Sequence, residues 1–331
     1  VYNSTFNIML QQREETRVRA ASENGGIKII DPPFLPDEPE DPAYVIHLLL
    51  TLVIALVLAL LATYIAALFD TSIKTTDEVQ KELNTSVLGM IPRIKPMDRK
   101  LALAGGVDGQ KNLPGKPGRQ YPIITMLPLT DPTVEAYRSL RTGLIFAAPD
   151  GRLSSFVVSS SEHGDGKTLT AANLALAFAM GGRRTLLVDC DLRIPDQHKL
   201  FGVKRVPGLS DYMVRQARKE EIFRPSTHEN LWVIPAGSPT PSPSDLLASE
   251  RMNEFIKMVN EEFDLVILDA PPIHIAIDAK ILVTKSNGLV LVSNIAKNSI
   301  RDLRSCLDQV QQVDGKVFGI VLNNICLLYT S

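Results

Sequence analysis

The sequence predicts an α/β domain with a mostly parallel sheet covered by helices on both faces, preceded by one membrane-spanning helix. From about residue 131 onward, short apolar runs without polar alternation are separated by segments of helical periodicity, as in parallel sheets buried on both faces. A glycine-rich turn joins the first of these runs to a helical segment. Upstream, 26 consecutive residues carry no Asp, Glu, Lys or Arg.

The predicted elements alternate regularly along this domain. Strands are expected at 154–160, 184–189, 231–235, 264–269, 288–293 and 316–323. Helices are expected between them, at 132–147, 168–181, 243–261, 277–285 and 299–313.

Composition narrows the class of protein. A length of 331 residues suggests about two domains, and a net charge of −2 argues against a protein dominated by nucleic-acid binding. The three cysteines are far apart and lack C-x-x-C spacing, which argues against a disulfide framework or a zinc site. The C-terminal half, which contains all three, is therefore expected to be cytoplasmic.

The uncharged stretch from Tyr44 to Phe69 is long enough to cross a bilayer. As a helix it would span about 39 Å, more than the ~30 Å of a hydrocarbon core. A buried helix of a soluble domain is the alternative, but it is usually shorter. Basic residues are more frequent on the C-terminal flank, where Lys74 and Lys81 lie, than on the N-terminal flank, which carries Lys28. This asymmetry predicts that residues 1–43 are extracytoplasmic.

The regions around the span divide the rest of the chain. Residues 1–43 are expected to be the end of an outward α/β domain, with a charged helix at 1–23, a strand at 27–30 and a proline-rich stalk. Residues 70–130 are expected to hold a short helix at 75–83, a strand at 87–91 and a flexible tether from 94 to 130. Residues 131–325 form the predicted α/β domain. We expect the chain to be a piece of a longer protein, and we expect residues 326–331 to be foreign or truncated sequence.

The turn between the apolar run 156–158 and the next helix has the pattern of a phosphate-binding loop. Backbone N–H groups and the helix N-terminus would face phosphates, Lys167 would neutralise β- and γ-phosphate oxygens, and Thr168 would offer its hydroxyl to Mg²⁺. Ser161 stands where the usual pattern has its first glycine. The predicted nucleotide-binding residues are Ser161, Gly164, Asp165, Gly166, Lys167, Thr168 and Leu169.

Acidic residues follow two other predicted strands. Asp189 and Asp191 come directly after one apolar run, and Asp269 follows another. Because ligands of parallel sheets bind beyond the carboxyl ends of the strands, we expect these carboxylates to lie close to the phosphate loop. Carboxylates can hold Mg²⁺ directly or through its waters. Capping of a strand end would explain any one of them alone; three together with a phosphate loop favour metal and phosphate chemistry.

These segments resemble a known family. The run 186–195 (Leu-Leu-Val-Asp-Cys-Asp-Leu-Arg-Ile-Pro) is similar to the Walker A′ motif of bacterial tyrosine kinases, and 265–272 (Leu-Val-Ile-Leu-Asp-Ala-Pro-Pro) is similar to their Walker B motif. The segments 208–211 and 236–247 are similar as well. The resemblance covers about 131–324, and the upstream region resembles the end of a chain-length-determinant (polysaccharide co-polymerase) domain fused to such kinases.

The resemblance implies a P-loop NTPase fold and a tyrosine autokinase that binds ATP and Mg²⁺. Lys167, Asp189, Asp191 and Asp269 would be its catalytic residues, and Thr168, Asp189 and Asp269 would bind the metal. Asp189 is the candidate acceptor of the tyrosine proton, Asp191 would support the site from outside it, and Asn323 would contact adenine. Family members regulate exopolysaccharide or capsule production, so a polymerase and export machinery and a cognate tyrosine phosphatase are the expected partners. Nucleic acid is not an expected partner.

Residues 135–142 resemble the E-x-x-R-x-x-R element with which the family assembles rings. Glu135, Arg138 and Arg141 fall within about 120° of one helical face. From spacing alone, a solvated charged face explains them. The resemblance implies instead that the arginines contact the adjacent subunit of a homo-oligomer and that phosphorylation occurs in trans.

Two other functions stay open. Partitioning and septum-placement ATPases share the fold, but they carry a lysine five residues before the phosphate-loop lysine, where this chain has Glu162. A carboxylate there would repel phosphate. The third possibility is a nucleotide-sensing membrane scaffold without kinase activity, because the family's C-terminal tyrosine cluster is not recognisable here.

Overall fold

A computed structural model describes residues 2–23, 44–69, 76–93, 123–148 and 153–325. The strand predicted at 27–30, the proline-rich stalk, most of the predicted tether and residues 326–331 lie outside these ranges. The chain divides into two units, residues 1–69 and 70–331.

The described part of the first unit holds two helices, as predicted: α1 (Tyr2–Glu23) and α2 (Tyr44–Phe69). The stretch Tyr44–Ile65 within α2 has a mean hydropathy of 3.0, and none of its residues is buried. By length and composition, α2 can cross a membrane.

The second unit is built on an eight-stranded sheet in the spatial order β1-β8-β7-β2-β6-β3-β5-β4. All neighbouring strands are parallel except the β4–β5 pair. The predicted parallel sheet is therefore confirmed. The strands are β1 (Val87–Pro92), β2 (Ser155–Ser160), β3 (Thr185–Asp189), β4 (Arg224–Pro225), β5 (Leu231–Ile234), β6 (Leu265–Asp269), β7 (Leu289–Asn294) and β8 (Val317–Ile325).

Helices cover both faces of the sheet because alternate side chains of each buried strand point to opposite faces. In β2, Phe156 and Val158 pack in one apolar layer and Val157 packs in the other. The helices of this unit are α3 (Thr76–Leu83), α4 (Pro132–Ala147), α5 (Lys167–Met180), α6 (Gln197–Leu200), α7 (Leu209–Met213), α8 (Lys219–Ile222), α9 (Pro243–Ala248), α10 (Glu250–Glu262), α11 (Asp278–Val283) and α12 (Ile300–Gln311).

The helix predicted at 243–261 is two helices, α9 and α10. Ser249 has an extended backbone between them (φ −61°, ψ 155°), and its side chain accepts a hydrogen bond from the Met252 N–H. Serine is a favoured N-cap, so α10 begins where α9 ends. The short elements α6, α7, α8 and β4 were not predicted, because two to five residues carry too little periodicity.

The sheet also begins earlier than the predicted boundary at residue 131. Strand β1 pairs with β8, and Val79 and Leu83 of α3 belong to the apolar layer that α12 joins. The C-terminal end of the predicted tether is likewise packed: a 3₁₀ helix spans Ile124–Met126, and the Ile124 N–H donates to the Asn173 side chain at 2.9 Å. Both segments are structural parts of the α/β unit.

Candidate functional site

The phosphate loop links the end of β2 to the start of α5, and two of its glycines are required by geometry. Gly164 and Gly166 have φ values of +85° and +94°, a region that favours glycine. A Cβ atom on Gly166 would also lie 2.1 Å from Nδ2 of Asn323. Gly166 directly precedes α5. As a glycine it has no side chain that could cap the helix, and the first N–H groups of α5 have no side-chain cap.

Ser161 replaces a glycine without strain because its φ is not positive. Its hydroxyl donates to Oδ2 of Asp165 at 3.2 Å, and the Glu162 N–H donates to the same oxygen at 2.9 Å. The buried Asp165 carboxylate therefore joins the start of the phosphate loop to its middle. Burial raises the pKa of Asp165, and these two hydrogen bonds oppose that effect.

Lys167 lies among carboxylates at the first turn of α5. Its Nζ is 2.8 Å from Oδ2 of Asp191 and 3.5 Å from Oδ1 of Asp269, and only 7% of the residue is exposed. Nζ also lies 3.1 Å from Oγ1 of Thr168. Burial alone would lower the pKa of Lys167, but the charges of Asp269, Asp191 and Asp189 together raise it above its ordinary value.

The three predicted carboxylates meet at this edge of the sheet. Asp189 and Asp269 are paired across β3 and β6, and both are almost fully buried. Burial raises the pKa of Asp189 well above its usual range, and the charge of Asp269 adds to this. Burial also raises the pKa of Asp269, against the charge of Lys167. Asp191 contacts Lys167 directly, and its supporting role stays a prediction.

Gln197, which the sequence analysis missed, connects these groups. Its side-chain Nε2 donates to Oδ2 of Asp269 at 2.9 Å and to the Thr168 carbonyl at 3.0 Å. Its backbone N–H donates to Oδ2 of Asp189 at 3.1 Å. Gln197 is fully buried at the start of α6. Only its position shortly after the Asp189–Asp191 motif could have indicated it, since the helix that carries it has four residues.

The residues present fit a magnesium-bound nucleotide. Oδ1 of Asp189 and Oδ1 of Asp269 are buried without a hydrogen-bond partner. Buried acceptors without partners are costly, and Mg²⁺ with its waters would satisfy both. Within the described residues, no group of three or more His, Cys, Asp or Glu side chains could hold a metal alone.

Asn323 lies against the loop itself. Its Nδ2 donates to the Asp165 carbonyl at 2.7 Å, so this amide supports the phosphate loop from the end of β8. Leu169 is partly buried in the first turn of α5. Both residues border the loop; the adenine contact of Asn323 and the nucleotide contact of Leu169 stay predictions.

The predicted assembly residues make different contacts within the subunit. Arg138 lies 3.6 Å from Glu135, with 41% and 68% of the two side chains exposed. Arg141 instead turns inward: its Nη1 donates to the Ala177 carbonyl at 2.8 Å, near the C-terminal end of α5. Glu135 and Arg138 are available to a neighbour, whereas Arg141 already braces two helices of its own subunit.

A family model described as "AAA domain" matches residues 155–321, slightly more than half of the chain. The chain belongs to this family. Its phosphate loop and parallel sheet give this AAA domain a nucleotide-binding fold.

Similar proteins include tyrosine kinases. The tyrosine-protein kinase wzc of Salmonella typhimurium (strain LT2) is 30% identical over 318 residues, which cover 96% of this chain and 43% of that protein. The kinase domain of Escherichia coli tyrosine kinase ETK superposes with a TM-score of 0.66 at 26% identity, covering 78% of this chain and 97% of that domain. The BceF tyrosine kinase domain superposes with a TM-score of 0.65 at 27% identity, covering 76% of this chain and 99% of that domain.

These comparisons confirm the resemblance to bacterial tyrosine kinases that the motifs predicted. The chain spans less than half the length of the curated relatives it matches.

Proposed function

We propose that this protein is an ATP-dependent protein-tyrosine autokinase that regulates exopolysaccharide or capsule polymerisation and export. One observation carries the proposal: Lys167 lies between Asp191 and Asp269, beside a buried carboxylate oxygen of Asp189 that has no hydrogen-bond partner. The likeness to named tyrosine kinases over nearly the whole chain supports the choice of tyrosine as the acceptor.

Phosphoryl transfer asks the protein mainly for positioning and charge. Lys167 would leave Asp191 to bind β- and γ-phosphate oxygens, and the backbone N–H groups of the loop would bind the rest. Thr168, Asp189 and Asp269 would hold Mg²⁺, which when bound neutralises phosphate charge and orients the leaving oxygen. Asp189 would take the proton of the tyrosine hydroxyl as that oxygen bonds to phosphorus and ADP departs.

The apolar helix α2 supports an assignment to the bacterial inner membrane. The excess of Lys on its C-terminal flank supports a cytoplasmic kinase domain and an extracytoplasmic segment at 1–43. The partners in this proposal are further copies of the same chain in a ring, phosphorylated in trans, the polysaccharide machinery and a tyrosine phosphatase.

The experiment uses the full chain in detergent. Phosphotyrosine is measured on the chain and on an added glutamate–tyrosine copolymer, with Mg²⁺ and labelled ATP. We expect transfer by the wild type and none by Lys167→Met. The matched control is Lys257→Met, because Lys257 is exposed on α10, and this variant should retain the activity.

Two results would contradict the proposal. Phosphotyrosine formation by Lys167→Met at the wild-type rate would exclude the assigned site. ATP binding or hydrolysis by the wild type without phosphotyrosine on either acceptor would favour a partitioning-type ATPase or a nucleotide-sensing scaffold.

A further inference from the structure

The rim of the phosphate loop carries a second lysine, which comes from a different element. Lys297 lies in the turn between β7 and α12, and its Nζ is 3.5 Å from the His163 carbonyl. We infer that Lys297 is a phosphate-binding residue that adds a second positive charge to the nucleotide site from within the same chain. This inference rests on the proposed nucleotide-binding function.

The shape of the loop makes room for this side chain. A Cβ atom on Gly164 would lie 3.1 Å from Nζ of Lys297, closer than side chains normally approach. The positive φ requires glycine at position 164, and the absence of a Cβ atom there lets the Lys297 ammonium group lie directly against the loop. Lys297 is exposed, so its charged end faces the solvent-filled mouth of the loop.

The turn that carries Lys297 is held in a fixed conformation. The N–H groups of Lys297 and Asn298 both donate to the Asn294 carbonyl, at 2.9 and 3.0 Å. The side-chain oxygen of Asn298, a residue only 1% exposed, accepts from the Asn294 N–H at 2.7 Å and from the Ser293 hydroxyl at 3.2 Å. A buried asparagine thus fixes the backbone on which Lys297 stands.

Lys297 also differs from Lys167 in having no carboxylate partner. Throughout the part of the chain that the structure describes, no carboxylate oxygen lies within 4.0 Å of its Nζ. Its positive charge nevertheless acts on Asp165 inside the loop. Burial raises the pKa of Asp165, and the charge of Lys297 opposes that shift. A cation without a carboxylate partner can bind an anion without first breaking an ion pair.

The loop needs such a charge because Glu162, also exposed, puts a carboxylate on the same rim. The lysine of partitioning-type ATPases, which stands at that position, is thus replaced here by an acid. Lys297 offsets this acid, so the positive charge would come from the β7–α12 turn of the same subunit.

The test measures nucleotide affinity, using the full chain in detergent and a fluorescent ADP with Mg²⁺. We expect Lys297→Gln to weaken binding by roughly threefold to tenfold, as for one charge-assisted contact at an exposed site. Lys297→Arg should bind nearly as well as the wild type. Lys316→Gln is the matched control. Lys316 directly precedes β8, at the end of that strand away from the phosphate loop, and it lies over the ring of Phe318.

Competition with unlabelled ADP and adenosine separates phosphate contacts from other effects. Lys297→Gln should weaken the binding of ADP and leave the affinity for adenosine unchanged. Equal affinities of Lys297→Gln and Lys316→Gln for ADP, or an equal loss for adenosine, would overturn the inference and leave the proposed function standing. Failure of the wild type to bind ADP would overturn both.

Discussion

Among the ion pairs of this domain, one at the phosphate loop and one on α4 have opposite surroundings. At the phosphate loop, Lys167 and Asp191 are 2.8 Å apart, with side chains 9% and 2% exposed. On α4, Arg138 and Glu135 are 3.6 Å apart, with side chains 41% and 68% exposed. The buried pair is surrounded by further acids, whereas the exposed pair faces water.

The comparison teaches that burial, more than pairing, determines what a charge does. An exposed pair contributes little because water and salt screen it. A buried pair is costly to form and costlier to break, since the remaining charge is left without compensation. The buried group is therefore suited to bind a charged ligand, and the exposed pair is free to change partners.

The largest expected effect compares the same kind of change in both regions. Lys167→Met should lower the free energy of unfolding by about 3 kcal/mol, because it removes the cation among three carboxylates. Arg138→Met should change it by less than about 0.5 kcal/mol. Urea unfolding of the full chain in detergent measures both, with fluorescence of Trp232, the single tryptophan of the sequence, as the signal. Equal losses in the two variants would remove the distinction between the regions.

The inner face of α4 provides the next comparison. Burial raises the pKa of Tyr137 to about 12. Because the folded pKa exceeds the value near 10 of an unfolded chain, this contribution to stability is complete below pH 10 and is lost as the pH rises towards 12. The loss amounts to roughly 2–3 kcal/mol.

Tyr137→Phe should therefore reduce the decrease in unfolding free energy between pH 10 and pH 12. The control is Tyr212→Phe, because the Tyr212 side chain is only partly buried. An unchanged alkaline slope for Tyr137→Phe would show that this phenol does not ionise with unfolding.

Gln197 tests whether the buried region depends on its neutral members. Gln197→Ala removes the hydrogen bonds to Asp269 and to the Thr168 carbonyl, which should cost about 2 kcal/mol of stability. The exposed Gln216, changed to Ala, should cost less than about 0.5 kcal/mol. Thermal unfolding measures both, and an unaffected Gln197→Ala would mean that water replaces the amide.

The smallest effects separate the two arginines of α4. Arg141→Ala should lower stability by about 1 kcal/mol through loss of the bond to the Ala177 carbonyl. Arg138→Ala should leave stability unchanged and reduce self-association, measured by sedimentation velocity in detergent. If instead only Arg141→Ala dissociated the chain at unchanged stability, the assignment of the exposed face would have to be reversed.

The sequence predicted the buried region better than the exposed one. Strands β2, β3 and β6 are continuous apolar runs, and polar residues directly after such runs must meet at one edge of a parallel sheet. Lys167, Asp189 and Asp269 were predictable for that reason. Arg141 was not, because spacing along a helix places a side chain on a face without saying whether it turns back to its own subunit.

Short-range signals also missed the contacts between distant segments. Gln197 reaches the site through a four-residue helix, and β1 joins the sheet by pairing with β8. Neither fact is encoded in local periodicity. The apolar run 87–91 predicted a strand, but its partner lies near the other end of the domain.

The pairing of Val87 with Ile320 has a consequence for how this protein is made. At typical rates of synthesis, roughly 10 to 50 seconds pass between the emergence of the two strands from the ribosome. During that interval β1 has no strand partner, and the apolar side of α3 lacks the layer that α12 completes. An early sheet edge of this kind is a target for a holding chaperone, and a ribosome stalled before β8 should expose it to proteases.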